Sequence, residues 1–215
     1  HTKLNNRKRK LLFLIYVLAY PFIVLSQSEL TIDTAVINTK LRETLLDMKA
    51  KDQELRKLYI HSRGKTRKDL RLKGRRIDSL NTCQMKQIIA EYGWPAKSKV
   101  GEDGSFAAWI LVQHADRDTA FQSKCLTLMK SAVLNNEASK SDYAYLTDRI
   151  LVNKGEKQYY GTQIRFAVGN IVVPLPIKDK KNLDERRKEM ELGPFKEYKN
   201  WFKKSYGKNG KKQKD

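Results

Sequence analysis

Cysteine is nearly absent from this chain: of 215 residues only Cys83 and Cys125 are cysteines. There is no CxxC pair, and the three histidines, His1, His61 and His114, show none of the paired spacings of a Cys/His zinc site. The short signatures of familiar reactions are missing too, with no GxSxG, Walker loop, GxGxxG or HExxH. These absences exclude a multi-histidine metal centre and the common phosphate-binding loops, so no cofactor and no metal is expected. The most apolar stretch, Leu11 to Leu25, contains Pro21 and falls short of the about 20 residues that a spanning helix needs.

What stands at the N-terminus is a pattern for export. Lys3, Arg7, Lys8, Arg9 and Lys10 occur without an acid, the apolar stretch follows, and Val24 and Ser26 occupy the −3 and −1 positions of a cut before Gln27. A charged start, an apolar middle and a small-residue cleavage site make up a secretory signal peptide. Residues 1–27 are therefore expected to be a leader, 28–203 a single domain, and 204–215 a disordered Lys-rich tail. No cysteine precedes Cys83, so lipidation at an N-terminal cysteine is not expected. The sequence opens at His1, and the leader is expected to begin a little further upstream. The expected location is periplasmic or secreted, with an uncleaved membrane anchor as the alternative. An oxidising compartment permits a Cys83–Cys125 disulfide without establishing one.

Charge of one sign dominates: 44 Lys+Arg stand against 24 Asp+Glu, a formal net of +20. Five of the basic residues belong to the leader, and the remainder is still strongly cationic. The charge gathers in Arg63–Arg76 and Lys196–Lys214. Such a surface suits anionic partners. For an exported chain an anionic envelope polymer or lipid fits this better than nucleic acid, which is not expected as a partner.

Apolar spacing predicts a mostly helical α+β domain. A first helix should run from about Glu29 to Leu58, on Ile37, Leu41, Leu45, Met48, Leu55 and Leu58. Arg63–Gly74, with two glycines and dense charge, reads as a loop or a frayed helix, and Arg76–Tyr92 as a second helix. Lys97–Gly104 reads as a loop with Ser105 capping a strongly apolar helix, Phe106 to about Ala115, that should lie at the centre. Helices at Thr119–Asn135 and from Ser141 or Asp142 to Asn153 should follow. The period then drops to 2: Tyr160, Thr162, Ile164 and Phe166 on one strand, Ile171, Val173, Leu175 and Ile177 on the next, with Ala167–Asn170 as the turn of a C-terminal β-hairpin. Pro174 and Pro176 mark the second strand as an edge. A short helix at Asp184–Leu192 and an amphipathic stretch with Phe195, Tyr198, Trp201 and Phe202 complete the order.

Three constellations could carry chemistry. Asp52 continues the apolar seam of the first helix between Met48 and Leu55, where a carboxylate is costly unless paired, and Arg56 sits at i+4. It is either a structural ion pair or a carboxylate facing a pocket. Gln113-His114-Ala115-Asp116 closes the central helix. There His114 could move protons with Asp116 orienting it, or else bond the last carbonyls of its own helix while Asp116 caps the next. Asp148 and Arg149 lie near Tyr160, Thr162 and Gln163 in sequence, a set suited to binding a polar ligand. Arg186 and Arg187 could grip an anion or simply be solvated.

Taken in order, Asp52-Gln53-x-x-Arg56, Gly93-Trp94-Pro95, Gln113-His114-Ala115-Asp116, Leu146-Thr147-Asp148-Arg149, Tyr160-Gly161-Thr162-Gln163 and Arg186-Arg187 with Leu192-Gly193 resemble an uncharacterised bacterial family. Its members carry this series of GWP, QHAD, LTDR and YGTQ motifs. The leader ending Ser26-Gln27 and the Lys-rich body look like an exported member from the Bacteroidetes. The resemblance brings no activity or cofactor. It implies that the recurring positions are polar, and so a ligand pocket: His114 and Asp116 as catalytic candidates, with Asp52, Arg56, Gln113, Asp148, Arg149, Tyr160, Thr162 and Gln163 binding a small polar ligand in one cleft.

Overall fold

The computed structural model describes residues 37–168 and 171–207. The expected leader, 1–27, lies outside them, as does the tail from residue 208. Seven helices and one antiparallel hairpin are described: α1 (Thr39–His61), α2 (Gly64–Tyr92), α3 (Lys97–Gln113), α4 (Thr119–Leu134), α5 (Lys140–Asn153), β1 (Ile164–Ala167), β2 (Ile171–Pro174), α6 (Leu183–Glu189) and α7 (Phe195–Tyr206). The fold is mostly α with a small β part, as the spacing predicts. Among the described residues no helix is long and apolar enough to cross a membrane.

Helix α3 is the centre, packing against α1, α2, α4 and α5. Ala107, Ala108, Leu111 and Val112 are almost wholly buried, and small residues there let neighbouring backbones approach closely. The expected loop at Lys97–Gly104 is instead helical, interrupted by a kink at Gly101, whose φ of 74° suits glycine. Arg42 of α1 grips Asp103 beside the kink through Nε (2.9 Å) and a terminal nitrogen (2.6 Å). Helix α1 is capped by the Asn38 side chain, which accepts from the Leu41 N–H, and buries Leu41, Leu45, Met48 and Asp52 on α3 and α2. Ser139, two residues before the position expected, caps α5.

Two further expectations are corrected. Gly64–Gly74 is helical, the first part of α2, with Arg63 extended just before it, and this part packs along the end of α1. Gly74 faces Leu55 across the pair, where a Cβ would sit in ordinary contact at 3.7 Å from Leu55 Cδ2. The strand expected from Tyr160 begins only at Ile164, in register Ile164↔Pro174 to Ala167↔Ile171. Helix α7 covers this hairpin, with Phe202 stacked on Phe166 at 5.0 Å, and it runs through Tyr206, so residues 204–206 are helical rather than tail. The cysteines are free: Cys83 is exposed on α2 while Cys125 is buried in α4, where desolvation pushes its thiol up to about 12. No disulfide joins them.

Before β1 the chain passes Gly161 at φ 68°, where a Cβ would meet the Phe195 ring at 2.9 Å. Gly161→Ala should therefore lower stability by about 1–3 kcal/mol, from a strained φ and a clash together. Urea unfolding with an unchanged m-value would show it.

Candidate functional site

The end of α3 is where the polar residues gather. Its last carbonyls, Val112 and Gln113, are taken by Nε2 of Gln122 from α4 at 3.1 and 3.3 Å. Asp118, not Asp116, caps α4 by accepting from the Phe121 N–H at 2.9 Å. With both local duties filled elsewhere, the His114 ring and the Asp116 carboxylate are free to reach other helices.

His114 turns toward α1. Its Nδ1 lies 3.0 Å from Oδ2 of Asp52, off the axis of an aligned hydrogen bond. Asp52 is 2 % exposed and also accepts from Arg56 Nε (3.0 and 3.1 Å) and Gln53 Nε2 (2.8 Å). Burial alone would raise the Asp52 carboxyl. His114 and Arg56 override it and hold the group at about 2, so it is a carboxylate at any ordinary pH. The carboxylate beside the ring is therefore Asp52, 62 positions upstream (114 minus 52), and not Asp116.

Arg56 continues to Asp78 of α2 at 2.5 Å. Asp78 is the group that the sequence reading missed. Burial pushes its carboxyl up, Arg56 opposes, and the nearby Asp52 and Asp116 add to the rise. Two carboxylates joined by one guanidinium are thus driven apart, the buried one down and the cleft-side one up. Ligand atoms of Asp52, Asp78 and His114 lie within 4.8 Å of one another. These are the residues that could hold a metal, although the Arg56 guanidinium already supplies their cation.

An open cleft of about 480 Å³ lies against this cluster, lined by Asp78, Lys86, His114, Asp116, Arg75 and Arg117 among others. Asp116 is held from the side by Arg149, through Nε at 2.7 Å and a terminal nitrogen at 2.5 Å, and by Asn153 at 2.9 Å. Burial opposes its ionisation, yet the forked guanidinium keeps its carboxyl below the usual range. Arg149 also reaches Oε1 of Gln163 at 3.4 Å. Gln113 is buried with its Oε1 unpaired and is not among the cleft-lining residues.

The remaining expected site residues form a second, structural group. Asp148 is wholly buried and accepts from the N–H groups of Tyr159 (2.7 Å), Tyr160 (3.0 Å) and Thr162 (2.9 Å) and from the Thr162 hydroxyl (2.9 Å). The donors of the expected strand start are thus consumed by one carboxylate, which explains why the ladder begins at Ile164. Gln158 completes the loop, donating to the carbonyls of Gln163 and Leu175 and accepting from the Gln163 N–H. Arg186 and Arg187 are neither solvated nor facing a free anion. Arg187, 2 % exposed, donates to the carbonyls of Gly193 and Tyr160, and Arg186 donates to those of Tyr159, Lys178 and Asp179. The expected single cleft is therefore two sites, joined through Asp116, Arg149 and Gln163.

Two substitutions separate them. Asp52→Asn should cost about 1–3 kcal/mol, the loss of charge-assisted bonds to a buried acceptor. A carboxyl held near 2 stabilises the fold fully above its ordinary value of 3.8 and loses that contribution as pH falls toward 2. The variant's melting temperature should accordingly fall less than wild type's between about pH 4 and pH 2. Asp148→Asn replaces an acceptor of four donors by a group with one acceptor oxygen, and should cost more, about 2–4 kcal/mol, at neutral pH.

No curated protein and no solved structure matches the chain. One family model does, over residues 39–211, from α1 through α7 and so across both groups of residues. The chain belongs to the family of unknown function DUF6624.

Proposed function

We propose that this is an exported protein, periplasmic or secreted, whose cleft beside His114 binds a small polar ligand and hydrolyses it by acid–base chemistry. The observation that supports this reading is a cleft-lining imidazole whose Nδ1 is 3.0 Å from a buried, ionised carboxylate. Asp52 is a positioning residue: it fixes the ring and stabilises the imidazolium that forms when Nε2 takes a proton from an attacking water. The imidazolium then returns that proton to the leaving group, so the step balances on His114 alone. Every acid lining the cleft has its own cation: Asp78 has Arg56, Asp116 has Arg149 and Asp118 has Lys86. Arg75 and Arg117 have no acid at ion-pair distance among the described residues, which favours a ligand bearing a negative group.

The off-axis Nδ1 and the grouping with Asp78 also suit a divalent cation, should Arg56 swing away. One set of measurements decides. Thermal-shift screening against sugars, nucleotides and peptides should find an anionic class that raises the melting temperature, less so in Arg117→Gln. With that ligand, His114→Gln should lower turnover by about 10²–10⁴-fold while binding persists. A screen in which no class shifts the melting temperature sinks the binding reading. Turnover that survives His114→Gln removes the acid–base role. Uptake of Zn²⁺ or Mn²⁺ that is lost in Asp78→Asn replaces it with a metal site.

A further inference from the structure

Beyond the cluster at Asp52 and Asp78 the two long helices continue as an arm. No residue from Gln53 to Gln84 is fully buried: the last buried side chain of α1 is Asp52 and the first of α2 is Met85. The helices meet each other at Leu55 and Gly74 and turn at Ser62, whose hydroxyl and N–H both donate to the Tyr59 carbonyl at 2.8 and 3.2 Å. Between residues 53 and 77 stand ten Lys and Arg against Glu54 and Asp69, a net of +8 out of the chain's +20. Only Arg56 among the ten has an acid at ion-pair distance among the described residues. One tenth of the sequence thus concentrates two fifths of its net charge, unneutralised.

Apolar side chains stand in the same field. Leu58 is 53 % exposed, Ile60 46 % and Leu72 52 %. Leu58 lies one turn nearer the tip than the Leu55–Gly74 contact, and Leu72 lies just beyond that contact on the opposite helix. A purely electrostatic surface for a phosphodiester or an acidic polysaccharide gains nothing from exposed leucines. A lipid surface uses both, since cations pair with headgroups while short apolar side chains enter the acyl boundary.

We infer that the α1–α2 arm is a docking surface for an anionic lipid bilayer. It binds peripherally, with the net +8 supplying attraction and Leu58 and Leu72 supplying insertion. The cleft at His114 opens from the root of the same arm, through Arg75 and Asp78, so docking would hold that cleft close to a membrane. This inference stands apart from the chemistry proposed for the cleft: an inert cleft leaves the arm's charge and exposed leucines as they are.

The test is sedimentation of the full chain with vesicles of phosphatidylcholine alone and of phosphatidylcholine with phosphatidylglycerol. Any contribution from the leader is common to wild type and variants, so their difference reports the arm. Binding should be at least about tenfold tighter on the anionic vesicles and should weaken steeply between 0.05 and about 0.5 M salt, where the screening length shrinks to a few ångströms. Arg67→Gln with Arg71→Gln and Lys73→Gln should weaken binding about tenfold or more. Leu58→Ser with Leu72→Ser should weaken it severalfold at low salt, with no change of charge. All five positions are exposed, and unchanged melting temperatures confirm that the variants fold. Equal affinity for both vesicle types, or a charge variant that binds like wild type, overturns the inference. A leucine variant that binds vesicles like wild type while the charge variant fails also overturns it, and assigns the arm to a soluble polyanion instead.

Discussion

Burying the Asp52 carboxylate is the constraint on which the centre of this molecule turns. An ion removed from water must be compensated on all sides or the fold does not hold it. The compensation comes from Arg56 of α1 itself and from the His114 ring at the end of α3, and Arg56 in turn holds the Asp78 carboxyl of α2. One buried charge therefore registers α1, α2 and α3 against one another at the level where their apolar packing ends. Below it lie Leu45, Met48 and Met85 in the core; above it nothing is buried on either long helix. The cleft opens at this boundary, where apolar contact gives way to paired charge.

A second buried carboxylate does comparable work on the far side. Asp148 gathers backbone donors that a short hairpin could not satisfy alone, since two four-residue strands make few ladder bonds. Arg187 closes the same region from beneath, donating to the carbonyl of Tyr160 and lying 5.1 Å from the centre of the Tyr198 ring. The small β part is thus tethered to α5, α6 and α7 by side-chain-to-backbone bonds more than by its own pairing.

Much of this was legible in the residues, and the failures share a cause. Asp52 stood out because it continues a run of apolar positions on one helix face, which is local information. Asp78 lies one heptad before Met85 on α2, but no buried apolar residue precedes it on that helix to mark it. The central position of α3 followed from its apolar run, and the importance of His114 from its place at that run's end. The identity of its partner did not follow: Asp116 is two residues away and Asp52 is 62, and only folding brings the distant one nearer. The strand drawn from Tyr160 was a correct reading of alternation overruled by Asp148, which takes the N–H groups that a ladder would need. Dense charge with two glycines at Arg63–Gly74 suggested a break. It is helical, continuing α2 alongside α1, a tertiary pairing that propensity does not see.

The two cysteines differ enough to be told apart chemically. Cys125 is sealed in α4 with its thiol pushed up to about 12, so almost none of it exists as the reactive thiolate near neutrality. Cys83 is exposed and lines the cleft. A maleimide dye offered to the native chain would accordingly attach at one place, at the mouth of the cleft, without any engineered residue. The molecule carries its own attachment point for a fluorescent reporter of whatever enters there.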